Sequence, residues 1–567
     1  MIVLGICDSQ DAGAALLVDG RLVAAVNEER LNRIKLWGGV PRESISAVLK
    51  IAALEPRDVD AVVLGSAITP NILARLFRGA HQPLRRWNGQ FRYLLSAFIT
   101  YQTVARKLRL PLAAEAAAAR LVLARELRAL GIEADLHVVD HHVAHAYGAF
   151  ATSGFDRTLV LTADGLGDGL AVTVSVGERG KGLTLLHEET GYSALTLYYS
   201  RLTELLGYTA VRDEGKVNAL AAHDDTYPAL EEARRILWHE SGRLSTQNHL
   251  LPRSPRGRPY SALAKFSREE IASSFQKNLE EVLTDYLRHW LRRTGCDHVA
   301  LAGGAFANVK LNQRLAAMPE VHRIYVMPHM GDGGLSIGGA EAFLRSPPEP
   351  LPDVFLGPEF TNYEIRAALE EAGVTFRGGL DIELEVAKLL AQGKTVARFD
   401  GRMECGPRAL GNRSILAPAT DPDTINWLNR KLKRNPIMPF APVIHEDEFD
   451  SCIIGGGKAR HASQFMTISF DVTPRMRELA PGAVHVDATA RPQRVTRAAH
   501  PALARILEEY TRLSGLPALI NTSLNMHEEP IVCRPEEAIG AWRQARLDAL
   551  AIGPYLAVAP PSTSAEG

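Results

Sequence analysis

The chain opens on six apolar residues, IVLGIC (2 to 7), closed by Asp8. A second apolar run, AALLV, follows, then Asp19-Gly20, then RLVAAV. Short apolar runs bounded by turn residues read as buried strands. An Asp-Gly pair between two of them predicts a two-residue hairpin, because both turn positions need positive φ. The figure recurs as TLVLTA (158 to 163), Asp164-Gly165, a short glycine-rich turn, and LAVTVSV. This repetition predicts two copies of one fold half, with their acidic turns facing each other across a cleft. Two unrelated hairpins in a large α/β protein would give the same local signal.

Strand-to-helix units continue the pattern. VALAGG (299 to 304) runs into AFANVKLNQRLAAM, and IYVMP (324 to 328) into HMGDGG and the helix LSIGGAEAFL. Glycines at a strand end before a helix admit a phosphate or nucleoside to the backbone N–H groups, although close helix-to-strand packing asks for the same glycines. The fold class is α/β, with a duplicated actin-like or sugar-kinase-like first domain. SPPEPLPD (346 to 353) has four prolines from Pro347 to Pro352, a stretch that can be neither helix interior nor central strand. It sets the boundaries: a first domain over 1–346, a semi-rigid spacer over 347–353 and a second domain over 354–567. The last ten residues, VAPPSTSAEG, are expected to fray.

Composition narrows the function classes. Of 567 residues, 64 are Lys or Arg and 65 Asp or Glu, so the net charge of −1 gives no standing attraction to nucleic acid or membrane. Five cysteines without a C-x-x-C pair encode neither a disulfide framework nor a thiolate zinc knuckle, which reads as reducing cytoplasm. No 18-residue apolar window and no basic leader predict a membrane span or export. One stretch breaks the balance. Between Ser66 and Ala114 there is no acid, but seven Arg and one Lys stand among Phe77, Trp87, Phe91, Tyr93, Phe98 and Tyr101. It reads either as a helical excursion with packed aromatics and solvated cations, or as a surface for a large anionic or lipid-linked acceptor.

Two constellations carry chemistry. DHHVAHA (140 to 146) should start a helix with His141 and His145 on one face and His142 elsewhere, a satisfied polar helix start or a ligand pair. Asp164 at a strand end and Asp332 in GDGG could join them over one cleft, a set suited to Fe, Mn or Zn. In the second domain Arg408, Arg413, Lys433, Arg434 and Arg491 stand in Gly, Pro and Asn-rich turns beside Thr522 and Ser523. Forked guanidinium groups, an ammonium and short neutral donors suit a small phosphorylated substrate.

DHHVAHA, DGLGDG, EGKVNALA, LAGGAFANVKLN, MPHMGDGG, GPRALGNRSILA and NTSLN followed by EEPIV, in this order along nearly the whole chain, resemble the NodU/CmcH family of O-carbamoyltransferases. The resemblance implies a first domain like the threonylcarbamoyl-transferase (TsaD) fold and a second like the YrdC fold. It implies carbamoyladenylate formation from carbamoyl phosphate and ATP with Mg2+, then carbamoyl transfer to a hydroxyl of a natural product, a sugar or a related metabolite. By the same resemblance His141, His145, Asp164 and Asp332 bind a divalent metal, Fe(II) or similar, and Lys216, Gly303, Gly304 and Asn308 line the adenylate pocket. Arg408, Lys433, Arg491, Ser523 and Asn525 hold carbamoyl phosphate, with Lys433 and Arg491 also catalytic. No nucleic-acid partner is expected, and a homodimer is compatible.

Two departures stand out. Where the family has His-Asp in the first turn this chain has Gln10-Asp11, and KRNPIMPFAP has Asn435 for an acid and Met438 for an arginine. An amide cannot take a proton, so Asp11 becomes the expected base and Gln10 an orienting group. The rivals are a tRNA threonylcarbamoyl-transferase-like enzyme and a non-catalytic actin-like nucleotide sensor.

Overall fold

The computed structural model describes residues 1–70, 72–76, 91–108, 110–247, 262–420, 422–432 and 437–559. Lys433, Arg434 and Asn435 lie outside them, as do Phe77 and Trp87 of the basic stretch. Apolar runs and Asp-Gly turns produce the first sheet as read: β1 (Ile2–Cys7), β2 (Gly13–Val18), β3 (Arg21–Asn27), β4 (Ala61–Leu64) and β5 (Asp135–Val138), in the order β3-β2-β1-β4-β5. The β2–β3 turn has Asp19 at φ 48 and Gly20 at φ 76, as a primed two-residue turn requires.

A second sheet of β6 (Arg157–Gly167), β7 (Leu170–Glu178), β8 (Gly182–Thr190), β11 (His298–Ala302) and β12 (Arg323–Val326) runs β12-β11-β6-β7-β8. Read from its other edge, this is the strand order of the first sheet. A small hairpin, β9 (Leu237–Glu240) with β10 (Arg243–Thr246), lies between. The tight turn of the second copy differs from the expectation: the positive-φ pair is Asp168-Gly169 (φ 49 and 87), not Asp164-Gly165. Asp164 instead stays within β6, at a register shift between Ala163 and Gly167. The reason is tertiary, since the buried Asp168 carboxylate collects the Ser66 hydroxyl and the backbone N–H groups of Ala67, Ile68 and His141.

Helices after the last strand of each sheet cross to the other: His141–Ser153 packs on β6 and β11, and Leu335–Leu344 on β1 and β4. They also pack on each other, and a Cβ at Gly338 would stand 1.9 Å from the Ala144 carbonyl oxygen. That close crossing brings both helix starts to one place.

The proline-rich stretch has no regular structure but is packed rather than a free spacer. Glu349 and Leu351 donate their N–H groups to Ala151 and Thr152, and Leu351, Val354 and Leu356 are buried. Beyond it a seven-stranded sheet runs β18 (Gln493–Val495), β15 (Ala441–His445), β19 (Ala518–Ser523), β14 (Arg413–Pro418), β13 (Val396–Phe399), β20 (Ala549–Ile552), β21 (Tyr555–Val558), with a ribbon β16 (Phe470–Asp471)/β17 (Thr489–Ala490) beside it. One apolar core spans the second sheet and this third one. All five cysteines are free and buried, and among the described residues no helix is long and apolar enough to cross a membrane.

The basic stretch forms helices Ile72–Leu76, Phe91–Leu108 and Leu110–Ala129. Two of its cations point inward. Arg75 is bonded to Asp8, and Arg106 to Asp140 and Glu188.

Candidate active site

The first constellation assembles where the two sheets meet. Asp140 caps its helix by accepting from the N–H groups of His142 and Val143, so His141 and His145 fall one turn apart, with rings 4.8 Å apart. His142 turns to the Thr162 hydroxyl at 2.7 Å, as the spacing required. Asp164 Oδ2 stands 3.1 Å from Nε2 of His141 and 3.5 Å from Nε2 of His145, while the Gly304 N–H holds Oδ1 at 3.1 Å. Asp332 opens the turn before Leu335–Leu344. Ser9 donates to its Oδ2 at 2.7 Å, leaving Oδ1 at 3.7 and 3.9 Å from the two imidazoles. One donor atom from each of the four residues lies within 4.8 Å of the others.

The electrostatics suit a cation. Burial, and then the neighbouring Asp164 charge, push the Asp332 carboxyl up to about 7. Burial works against a charged His141, but Asp332 and Asp164 outweigh it and hold its proton up to about 9. Burial lowers His145, whose Nε2 is left inside without a hydrogen bond. Two imidazoles and two crowded carboxylates with an orphaned nitrogen are a donor set that a divalent ion of the Fe, Mn or Zn kind satisfies, displacing protons as it binds.

Gln10 and Asp11 line the neighbouring turn. Gln10 bridges to Gly38 through its backbone, and Asp11 sits at φ 64 with its Oδ1 accepting from Asn27 Nδ2 at 3.0 Å. Burial, reinforced by Glu29, raises the Asp11 carboxyl to about 7.

The second constellation surrounds a cavity of about 200 Å³ in the C-terminal part, lined by Arg408, Arg491, Thr522, Ser523 and Asn525. Arg408 is half-buried there with its Nε unpartnered, and desolvation alone lowers its guanidinium to about 10. A half-buried guanidinium beside neutral donors is chemistry that suits an anion, and Glu528, paired with Arg212, lines the same cavity. Ser523 donates to Asn525 Oδ1 at 2.5 Å, and Asn525 donates to the Glu529 carbonyl, which fixes both side chains at the wall. Arg413 is not among the lining residues. It stacks 3.7 Å over Phe399 and is spent on the carbonyls of Asp400, Asn412, Pro358 and Gly401.

Residues read as nucleotide-lining fall between these places but have structural work as well. Lys216 pairs with Asp213 at 2.8 Å. The Asn308 amide is taken up by Asn218, Gln276 and the Leu311 N–H. Gly303, at φ 103, packs so closely that a Cβ would meet the Ala163 carbonyl at 2.1 Å, and Gly304 orients Asp164.

Sequence reading missed Lys35, which lines the C-terminal cavity from far upstream. Its loop is tied to that part by Arg33, which donates to the carbonyls of Pro530 and Ile531 at 2.7 Å. The same loop supplies the Trp37 carbonyl to the Ala12 N–H, so it touches both the cavity and the Asp11 turn. No local signal marks such a residue.

The family model described as carbamoyltransferase N-terminus matches residues 2–341, and that described as carbamoyltransferase C-terminus matches residues 387–558. Nodulation protein NolNO of Sinorhizobium fredii is 32% identical over 96% of this chain and 78% of its own length. Uncharacterized protein MJ1051 of Methanocaldococcus jannaschii is 28% identical over 98% and 99%. Among solved structures, full-length HypF in its phosphate- and nucleotide-bound form is similar over 61% of this chain and 46% of that one, at 13% identity and a TM-score of 0.32. With both family models matched along the chain and a relative 32% identical across nearly all of it, the protein belongs to the carbamoyltransferase family and is a carbamoyltransferase enzyme.

Proposed function

We propose that the enzyme is an ATP-dependent O-carbamoyltransferase that works in two half-reactions. The reading assigns activation to a YrdC-like domain over 354–567 and transfer to a TsaD-like domain over 1–346. The observation that carries it is Arg408, half-buried with an unpartnered Nε at a small polar cavity, beside the separate four-donor cluster of the N-terminal part.

In the first half-reaction Arg408, Arg491, Ser523 and Asn525 bind carbamoyl phosphate, with Lys433 supplying an ammonium. A water-derived oxygen takes over the carbamoyl group as phosphate leaves, and that oxygen displaces pyrophosphate from ATP, giving carbamoyladenylate. Lys216 and the turn at Gly303, Gly304 and Asn308 border the nucleotide. In the second, the acceptor hydroxyl attacks the carbamoyl carbon, AMP leaves with the C–O bond, and Asp11 takes the hydroxyl proton while Gln10 orients the acceptor. A divalent ion held by His141, His145, Asp164 and Asp332 would supply Lewis-acid stabilisation of the charge that develops in transfer. An acid raised to about 7 is suited to the base role in a way an ordinary carboxylate is not.

The test incubates enzyme with ATP, Mg2+, carbamoyl phosphate and candidate hydroxyl compounds. AMP and pyrophosphate should appear only when carbamoyl phosphate is present, and mass spectrometry should show one carbamoyl group gained by an acceptor. Release of ADP alone would refute an adenylate intermediate.

A further inference from the structure

Asp11 has two oxygens in different surroundings. Oδ1 accepts from Asn27 Nδ2 at 3.0 Å, whereas Oδ2 receives no hydrogen bond from any described residue, and about a quarter of the side chain (23%) is exposed. His329 brings its Nε2 to 3.7 Å from Oδ2, too far for a hydrogen bond. The same Asn27 amide meets His329 Nε2 with both its ends, Nδ2 at 2.7 Å and Oδ1 at 3.0 Å. An amide nitrogen carries two hydrogens. One goes to Asp11 Oδ1; the imidazole meets the rest of the amide in either tautomer, accepting from Nδ2 or donating from Nε2 to Oδ1.

Neither Asn27 nor His329 is a loose surface group, since each is only 4% exposed. Asn27 ends β3 and starts the helix Glu28–Asn32. His329 comes from the loop after β12, three residues before Asp332. A Cβ at Gly333 would stand 2.2 Å from its ring, so that glycine makes room for the imidazole. Asp11 itself is held in the left-handed region that non-glycine residues seldom adopt, a cost that marks an aimed side chain when the contacts around it agree. The charged neighbours of this carboxylate are Glu29 and Arg30 on the short helix and Asp332 on the loop.

We propose that Asn27 and His329 are positioning residues: the Asn27 amide, oriented by His329, pins Oδ1 of Asp11 and leaves Oδ2 presented to the acceptor hydroxyl. The inference rests on the reading of Asp11 as the base of the transfer step. It assigns work to two side chains from distant segments, and it links the aim of the base to the loop that carries Asp332.

The experiment compares Asn27→Ala, His329→Leu and His329→Gln with wild type and Asp11→Asn in the full-length enzyme. It uses an acceptor shown to be carbamoylated and follows two readouts: carbamoyl phosphate-dependent pyrophosphate release, and transfer. Asn27→Ala should lower kcat for transfer by roughly ten- to hundredfold, the cost of a misaimed catalytic group, with acceptor KM and pyrophosphate release within about twofold of wild type. It should also move the acid limb of the transfer pH profile upward, because the lost hydrogen bond favours the charged carboxylate. His329→Leu should do the same less strongly. His329→Gln keeps an acceptor for the amide and should recover most of the rate. Transfer at the wild-type kcat in both Asn27→Ala and His329→Leu would overturn the clamp, as would a loss confined to KM or one shared equally with pyrophosphate release. If Asp11→Asn transfers normally, the base assignment itself fails. If it is inactive while the other two variants are normal, only the clamp fails.

Discussion

The turns at the ends of β1 and β6 occupy equivalent places in two sheets of one strand order, yet each treats its leading acid differently. Asp8 receives the forked guanidinium of Arg75 at 2.8 and 3.1 Å, and the two side chains are 3% and 1% exposed. Asp164 faces two imidazoles and a second carboxylate, and burial of that second carboxylate beside it drives Asp332 up to about 7. A buried carboxylate must be compensated. In the first copy the chain does so itself, by sending an arginine in from the helix Ile72–Leu76. In the second no arginine or lysine among the described residues pairs with Asp164, and two imidazoles and a second carboxylate meet there instead.

Breaking the second turn should have the largest effect. His141→Ala or Asp332→Ala should remove bound metal, measured by elemental analysis, and cut transfer by more than about a hundredfold, while carbamoyl phosphate-dependent pyrophosphate release continues. Full metal occupancy in both variants would refute the ligand set. Breaking the first turn should instead act on stability. Arg75→Met strands the Asp8 charge inside and should cost about 3–5 kcal/mol in denaturant unfolding. Asp8→Asn added to Arg75→Met should recover most of that. If the single variant unfolds like wild type, the pair does not hold the first turn.

The same contrast shows what the sequence could tell. The four donors were legible because each sits on a pattern of its own: the i, i+4 histidines on a capped helix, Asp164 after an apolar strand run and Asp332 in a glycine-flanked turn. The β2–β3 hairpin followed from Asp19-Gly20 for the same reason. The Asp164–Asp168 ambiguity was not resolvable locally, since DGLGDG offers two Asp-Gly pairs. The choice is made by N–H groups at 67, 68 and 141 that capture Asp168, and by Gly304, which holds Asp164 in the strand. Likewise Arg75 finds Asp8 across 67 residues and Lys35 reaches a cavity built almost wholly after residue 400. Arg413 looked like an anion ligand because its turn is glycine- and asparagine-rich, but those turn carbonyls are what consume it.

Arg408 sharpens the comparison by lying between the two cases, a half-buried cation that makes no ion pair among the described residues. Arg408→Met should therefore leave stability within about 1 kcal/mol of wild type, since a half-buried charge without an ion pair is removed. Carbamoyl phosphate-dependent pyrophosphate release should fall by roughly a hundredfold, about 2.7 kcal/mol of lost binding in the transition state. A destabilised variant that retains that activity would make Arg408 a structural residue.

Where the first turn meets the acceptor, the expected effects fall from the base, Asp11, to its orienting neighbour, Gln10, the smallest of all. Asp11 is raised to about 7, first by burial and then by Glu29, well above the usual carboxylate range. As a base it must be ionised, so transfer should climb as pH rises through about 7 and level off above it, while pyrophosphate release should not share that limb. The sign for stability is the reverse. A carboxyl whose folded pKa lies above its unfolded value holds its proton more tightly in the fold, so the stability it contributes is full below about pH 4 and is lost as pH rises through about 7. Asp11→Asn should abolish the limb and lower kcat by roughly a hundredfold. Gln10, which bridges Gly38 through its backbone and can orient but not deprotonate, should matter less. Gln10→Ala should raise acceptor KM with only about a two- to fivefold loss of kcat. Gln10→His should stay active and add a limb near 6 to 7, about where an imidazole titrates. If the wild-type limb persists in Asp11→Asn, the titrating group is elsewhere, and the first turn is a scaffold for the acceptor rather than a source of its base.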